Sequence, residues 1–375
     1  MGKKKQRKVR ADLRKNRNVR TRSNDLTRDF ASDEESVVDL ASGQSVSGKG
    51  DLTRKRTVAN AEIDEEGIIS PAVDTLVCLD GRVLRVQGLV SMVQFADGTL
   101  RQCATRRLLK TLSTDQRHVV AAGDRVWVRP SGADEGIIER VEPRTGVLSR
   151  NSRGRQHVLV TNVDQLLIVT SAAQPRLKPN LLDRYLVTAE RARIEPIICI
   201  NKVDLVDRGD LQPLVGVYSQ LGYRVLQISA AEGWGIPEFR SLLRGRSSVL
   251  TGQSGVGKSS LLNIIDPGLA LRVQQVSAET EKGKHTTTTS ELIPLSMGGF
   301  VIDTPGIRQF RLWDVVPEEL AGFFRDLRPY VSHCRYPDCT HTHEEPCAVK
   351  DAVAEGAIDV RRYESYLQIH AGDEI

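Results

Sequence analysis

The 375-residue chain lacks any apolar run near the roughly 18 residues that a membrane span requires. It also lacks the charged-then-apolar opening of a secretory signal. Those absences predict a soluble, cytoplasmic protein without membrane contact. Cysteine is scarce, at six residues, and three of the six fall close together near the C-terminus. Without an export signal, thiols in such a cluster point to a metal rather than to disulfides. No internal repeat divides the sequence, and its length suits two or three domains with a real core.

Acidic residues are almost missing from the start. The first 22 residues carry 11 Lys/Arg and one Asp, a net charge of +10. The whole chain carries +5, so the remainder is acidic at −5. The basicity therefore belongs to an arm. Such an arm can neutralise phosphates by releasing counterions, which predicts RNA contact, a solubilising or targeting tail being the alternative. Residues 23–73 are rich in Ser, Asp, Glu and Gly without helical or strand periodicity, so residues 1–74 read as basic arm plus disordered linker.

Residues 75–148 hold short β-type runs such as GRVLRVQG, SMVQFADGTL and DRVWVRP, with Asp97-Gly98 and Gly123-Asp124 placed to reverse them. About five strands in that length suit a small barrel of the OB type, a generic β-sandwich being the alternative. Arg101, Arg106, Arg107 and Lys110 are its candidate RNA contacts. Residues 149–312 alternate apolar, β-branched runs with helical stretches, the pattern of an α/β domain with a mainly parallel sheet. Residues 313–375 turn helical. The expected fold class is thus multidomain α/β: an N-terminal OB-type β-barrel, a P-loop domain and a C-terminal helical metal domain.

Residues 252–259, GQSGVGKS, fit G-x-x-x-x-G-K-[ST] between a strand and a helix. In that motif the backbone of Gly252, Gln253, Ser254, Gly255, Val256 and Gly257 wraps phosphates. Lys258 reaches the β/γ oxygens, and Ser259, with Ser260 behind it, serves Mg²⁺. In FVIDTPG, Asp303 closes an apolar strand where a carboxylate can hold the Mg²⁺ shell, and Gly306 offers an N–H to the γ-phosphate. NKVD at 201–204 is the word that reads guanine. Asp204 accepts from N1–H and the 2-amino group, which adenine lacks, while Asn201 and Lys202 brace and cover the base. Ser229 and Ala230 follow at a strand end, Ala230 offering its N–H to the guanine O6. The polar run SAETEKGKHTTTTSE is the expected switch, with Thr286 or Thr287 on Mg²⁺.

These words stand in an unusual order: base reader, Ser-Ala, phosphate loop, switch threonines, DTPG. That is the ordinary GTPase order cut after DTPG and rejoined, a circular permutation. It runs the segment after DTPG straight into the C-terminal domain, so hydrolysis is expected to alter that domain's posture. The position after the DTPG glycine, where many small GTPases carry Gln, is Ile307. Unassisted hydrolysis should then be slow, on the order of 10⁻³ s⁻¹ or less. His285 is the nearest candidate to orient or deprotonate water. Downstream, Cys334, Cys339, His341 and Cys347 form C-x₄-C-x-H-x₅-C, a closed, structural Zn²⁺ set with His343 and then His333 as rival ligands.

The permuted order of NKVD, GQSGVGKSS, GKHTTTT and DTPGIRQF, followed by the Cys/His spacing and RRYESYL, resembles the ribosome small-subunit-dependent GTPases of bacteria. CATRRLLK and AAGDRVWV resemble that family's barrel. The resemblance covers about four fifths of the chain and implies an OB barrel, a circularly permuted GTPase domain and a zinc domain. It further implies GTP hydrolysis to GDP and phosphate, stimulated by the small ribosomal subunit late in its maturation, with rRNA as target. By the same resemblance His285 is the catalytic histidine and the four named zinc ligands exclude His343; Lys258 and Thr287 stand with His285 as catalytic candidates from the motifs themselves. A monomer is the default expectation. The alternatives are a GTP-regulated RNA-binding module and a GTPase with a non-ribosomal protein partner.

Overall fold

A computed structural model describes residues 8–12, 46–47, 55–59, 61–63, 69–71, 73–106, 109, 119–152, 155–269, 290–303 and 316–372. The chain divides into two compact units. One comprises residues 1–145, 149–162 and 289–292, and the other residues 146–148, 163–288 and 293–375.

In the first unit five strands close on themselves. They are β1 (Leu79–Gln87), β2 (Val90–Phe95), β3 (Leu100–Thr105), β4 (Arg125–Pro130) and β5 (Glu135–Val141). The order is β1-β2-β3-β5-β4, and β4 pairs back to β1. Only β3 and β5 run parallel among these pairings. Closure follows from alternation: Val83, Val93, Cys103, Val126, Val128 and Ile138 all point inward and are fully buried. The predicted reversal at Asp97-Gly98 forms because the Asp97 carboxylate accepts from Thr99 N at 2.9 Å and Thr99 Oγ1 at 2.7 Å, with Gly98 at φ 83°. At Gly123 (φ 93°) a Cβ would collide with the Thr161 carbonyl. Its neighbour Asp124 is fully buried, accepting from Ala121 N (2.8 Å), Thr161 Oγ1 (2.7 Å) and the Arg144 guanidinium (2.8 Å).

The stretch expected as a structureless linker carries short strands. Lys55–Ala59 pairs antiparallel with both Lys8–Asp12 and Val46–Ser47, and Ala61–Ile63 pairs with Ile69–Pro71. Composition did not reveal the ladder of Lys8–Asp12 with Lys55–Ala59 because its partners lie far apart in the sequence, and the other pairs are too short to show a periodic pattern.

The second unit holds a parallel sheet. Its elements are β6 (Gln165–Ser171), α1 (Pro179–Ala192), β7 (Glu195–Asn201), α2 (Arg208–Gln220), β8 (Arg224–Gln227), α3 (Ile236–Leu243), β9 (Ser247–Thr251), α4 (Lys258–Ile265) and β10 (Phe300–Asp303). The order β8-β7-β6-β9-β10 is parallel throughout. Helices cover both faces, which is why LLIV and IICI read as unbroken apolar runs. Leu167, Val169, Ile197, Cys199, Phe239, Leu261 and Val301 share one core. Parallel strands put their carboxyl ends on one rim, where the loops gather.

The same unit ends in a helical module with its own core, around Phe324, Leu327, Val349, Ile358 and Tyr366. Its principal helices are α5 (Ala348–Ala354) and α6 (Val360–His370), the latter capped by Asp359, whose side chain accepts from Arg361 N at 2.9 Å. The module is fixed to α1 by charge. Arg362 on α6 is 2% exposed and sits between Asp183 of α1 and Asp326 of the module, meeting the Asp326 carboxylate twice at 2.9 Å. Tyr218 of α2 donates to Asp183 at 2.7 Å, and the Arg362 guanidinium lies 4.6 Å over the Phe324 ring. Burial pushes the Asp183 carboxyl upward against the pull of Arg362. At the edge of this contact Arg325 pairs with Glu190 (2.6 Å) and bonds the Leu221 and Gly222 carbonyls that end α2.

Candidate functional site

Three loops meet on the rim of the second sheet. The loop after β9 needs its glycines. Gly252, Gly255 and Gly257 stand at φ 139°, 82° and 97°. A Cβ on Gly252 would strike the Val169 carbonyl, and one on Gly257 would strike the Asn201 amide. α4 begins at Lys258, which aims the free N–H groups of its first turn at the loop. Lys258 Nζ donates to the carbonyls of Gly252 (2.7 Å) and Gln253 (2.8 Å), so its ammonium lies over the loop. This arrangement can cradle phosphates.

The loop after β7 carries the base-reading word. Asn201 is 1% exposed, and its amide joins the other two loops. Nδ2 donates to Val256 O at 2.8 Å, and Oδ1 accepts from Ala230 N at 3.3 Å. Asn201 thus sets the spacing between phosphate loop and base loop. The Ala230 N–H expected to meet a base is held here by that amide. Ser229, fully buried, donates to Asp204 Oδ1 at 2.5 Å and accepts from Glu232 N at 3.1 Å. Asp204 is exposed and so oriented can accept two parallel donors from a ligand edge.

Asp303 ends β10, beside β9 in the sheet. His285, Thr286, Thr287, Gly306 and Ile307 lie outside the described residues, as do Arg107 and Lys110. On the barrel, Arg106 pairs with Glu139 at 2.5 Å, and Arg129 meets the same carboxylate at 3.1 Å. Arg101 donates to Gly132 O at 3.0 Å and lies 5.6 Å over the Phe95 ring. Arg101 and Arg106, the two of the four expected RNA contacts that are described, therefore have partners within the barrel.

A second site lies in the helical module. Cys334, Cys339, His341 and Cys347 bring one ligand atom each within 4.8 Å of the others. Cys334 Sγ is 3.8 Å from Cys347 Sγ, and His341 Nδ1 is 3.4 Å and 3.5 Å from those two sulfurs. The backbone serves this convergence: His341 stands in the left-handed region at φ 58°, and Tyr363 and Tyr366 donate to the His341 and Thr340 carbonyls at 2.7 and 2.6 Å. Four soft donors so placed can hold a metal. His343 is solvent-facing and bonds Thr342 Oγ1, and His333 bonds Pro329 O, so neither joins the cluster. The other three cysteines are buried, and burial pushes the Cys103 and Cys199 thiols up to about 12.

Sequence reasoning missed two things here. Lys202 Nζ donates to Gln174 O, in the loop after β6, and Ala172 N donates to Asn201 O at 2.9 Å. That loop carries no motif word. Its two prolines in AAQPRLKPN were the available signal.

The sequence profile described as RsgA GTPase matches residues 141–313. A small ribosomal subunit biogenesis GTPase RsgA of Chlorobaculum parvum is 40% identical over 303 residues, covering 78% of this chain and 97% of the relative. That of Sodalis glossinidius is 41% identical over 296 residues, covering 77% and 84%. Among solved structures, YjeQ from Thermotoga maritima aligns with a TM-score of 0.65 at 35% identity, covering 78% of this chain and 98% of its own. The circularly permuted GTPase YloQ aligns at 0.62 and 30%, covering 80% and 97%. With its barrel, its re-ordered GTPase words on one sheet rim and its Cys₃His module, the chain belongs to the RsgA family of circularly permuted GTPases.

Proposed function

We propose that this GTPase selects GTP through Asp204, is activated by the small ribosomal subunit, and acts in that subunit's late maturation through contact with rRNA. The observation that carries the reading is Asn201, which links the phosphate loop to the Ser229-Ala230 loop and so supports a single nucleotide site assembled from words out of their usual order. In this reading the Asp204 carboxylate accepts from N1–H and the 2-amino group of guanine. The loop of Gly252, Gln253, Ser254, Gly255, Val256 and Gly257 wraps the phosphates, and the Lys258 ammonium leaves its two loop carbonyls for the β/γ oxygens. Ser259, Thr286 or Thr287, and Asp303 would serve Mg²⁺, which supplies neutralisation of charge on the phosphates. Gly306 would donate to the γ-phosphate, and His285 would orient water or take its proton.

The Cys₃His cluster suits a structural Zn²⁺. Bonds of about 2.3 Å to sulfur and about 2.0 Å to nitrogen give tetrahedral edges of about 3.8 Å between sulfurs and about 3.5 Å from sulfur to nitrogen. The cluster's own separations are 3.8, 3.4 and 3.5 Å. With all four positions filled by protein, such an ion holds the module together and leaves no place for substrate. The relatives are named for small-subunit biogenesis, and the net +10 of the first 22 residues supports contact with RNA phosphates. A cytoplasmic monomer is the form in which we take this function to act; no helix of the described residues is long and apolar enough to cross a membrane.

The test is GTP turnover by the purified chain, alone and with isolated small subunits, at two salt concentrations. Strong stimulation that falls with salt, and that His285→Ala abolishes, is the expected result. Turnover indifferent to the subunit would remove the ribosomal reading and leave the nucleotide site standing.

A further inference from the structure

The nucleotide rim and the metal module are joined by a strap that no GTPase motif contains. It is the loop between β6 and α1, residues 172–178. At its near end Ala172 N donates to Asn201 O (2.9 Å) and Gln174 O accepts from the Lys202 ammonium, Gln174 standing at φ 53°. At its far end it enters α1 through Lys178, whose side chain caps nothing. Pro175 and Pro179 restrict the backbone between these points, so the strap is stiff.

What holds the start of α1 comes from the module. Asn180, in the first turn, is gripped on both ends of its amide by α6: Ser365 Oγ donates to its Oδ1 at 2.8 Å, and its Nδ2 donates to Gln368 Oε1. One turn further on, Asp183 meets Arg362. Residues 362, 365 and 368 of α6 therefore form one ridge along 183 and 180 of α1, running antiparallel. The ridge ends six residues from the carbonyl that holds Lys202.

We propose that Asn180 is a positioning residue for the guanine site: gripped by Ser365 and Gln368, it sets the strap that places Lys202, so the metal module governs how long nucleotide stays bound. On this proposal the Lys202 stem would cover the base only while the Gln174 carbonyl holds its ammonium. A rotation of α6 would shift Asn180, the strap and the Gln174 carbonyl together. A macromolecule binding the module thereby gains control of nucleotide release without touching the nucleotide. This proposal rests on the reading of residues 201–204 as a guanine reader.

The experiment is a double-mutant cycle on release of a fluorescent GDP analogue from the full, metal-loaded chain. Gln368→Ala removes the acceptor of the Asn180 amide, and Lys202→Met keeps an apolar stem without the ammonium. Losing one neutral hydrogen bond at this point should speed release about two- to tenfold in the Lys202 background, and not in the Lys202→Met background. Gln368→Glu retains an acceptor and should restore slow release. If Gln368→Ala speeds release equally in both backgrounds, or in neither, the route through Lys202 is refuted. Displacement by excess GDP and by excess ADP is measured on the same samples. A wild-type chain that does not prefer GDP would overturn the guanine reading itself, and with it this proposal, whereas preference for GDP with an additive cycle overturns the proposal alone.

Discussion

Removing Asp326 should damage the second unit far more than its distance from the nucleotide suggests. Arg362 is 3% exposed at its side chain and Asp326 4%, with two contacts of 2.9 Å between them. In Asp326→Ala the guanidinium loses that bidentate partner and keeps Asp183. Breaking a buried pair by deleting one member costs about 3–5 kcal/mol, because the remaining charge stays desolvated. That is a large share of the roughly 5–15 kcal/mol that holds a folded domain. At about 2–4 °C per kcal/mol for a unit of this size, the thermal midpoint should fall by about 6–20 °C. The control is Glu195→Ala, which breaks an ion pair of similar length, 2.7 Å to Arg246, with side chains 52% and 49% exposed. Solvent screening limits that loss to about 1 kcal/mol at most. The assay is thermal unfolding followed by circular dichroism on both variants. Equal shifts would refute the claim that the triad anchors the module to α1.

Asp183 adds a pH dependence of definite sign. Its carboxyl is pushed up by burial, so the folded state holds a proton more tightly than the unfolded chain. The stability linked to it is full below the unfolded value of about 3.9 and is lost as pH rises through the raised value. Subtracting the denaturant-midpoint profile of Asp183→Asn from that of the wild type should show this decline, and a flat difference would contradict it. Gly252→Ala places a methyl group against the Val169 carbonyl at φ 139° and should cost about 1–3 kcal/mol together with nucleotide binding, read by unfolding and by GDP titration. Cys347 is 1% exposed within the module's core, so Cys347→Ser should lose the metal, measured by elemental analysis, and lower stability by on the order of 3 kcal/mol or more. Full metal content in that variant would exclude the Cys₃His assignment.

The nucleotide words were legible because each is local. A phosphate loop needs glycines at fixed offsets and a strand and helix around it, all within a dozen residues. The parallel sheet was legible for a related reason, since burial on both faces leaves continuous apolar runs. The closed barrel was less direct, because the alternating pattern of GRVLRV and RVWVRP fits a sandwich as well, and only the pairing of Leu79–Gln87 with Arg125–Pro130 decides it. The triad of Asp183, Asp326 and Arg362 was invisible. Its members lie 36 and 179 positions apart, and a charged residue carries no periodic signal of burial. The expectation that hydrolysis alters the module's posture meets an interface in which a buried guanidinium spans both sides, and α1 with its strap is the route proposed between them. Spacing alone left His343 in competition with His341. The left-handed turn at His341 brings its ring among the sulfurs, and the neighbouring hydroxyl of Thr342 holds His343 outward.

Words in permuted order are proposed to build one guanine-reading site, and the nucleotide preference of Asp204→Asn tests it. On the proposed reading the wild-type carboxylate, held by Ser229, would accept from the two donors that guanine presents. The amide replaces an acceptor by a donor, which matches the carbonyl that xanthine carries in place of the 2-amino group. The predicted result is GTP affinity lower by about 10²-fold or more, with xanthosine triphosphate now preferred, as expected for two charge-assisted hydrogen bonds. Unchanged preference for GTP in the variant would contradict the account, since guanine would then be read somewhere other than Asp204.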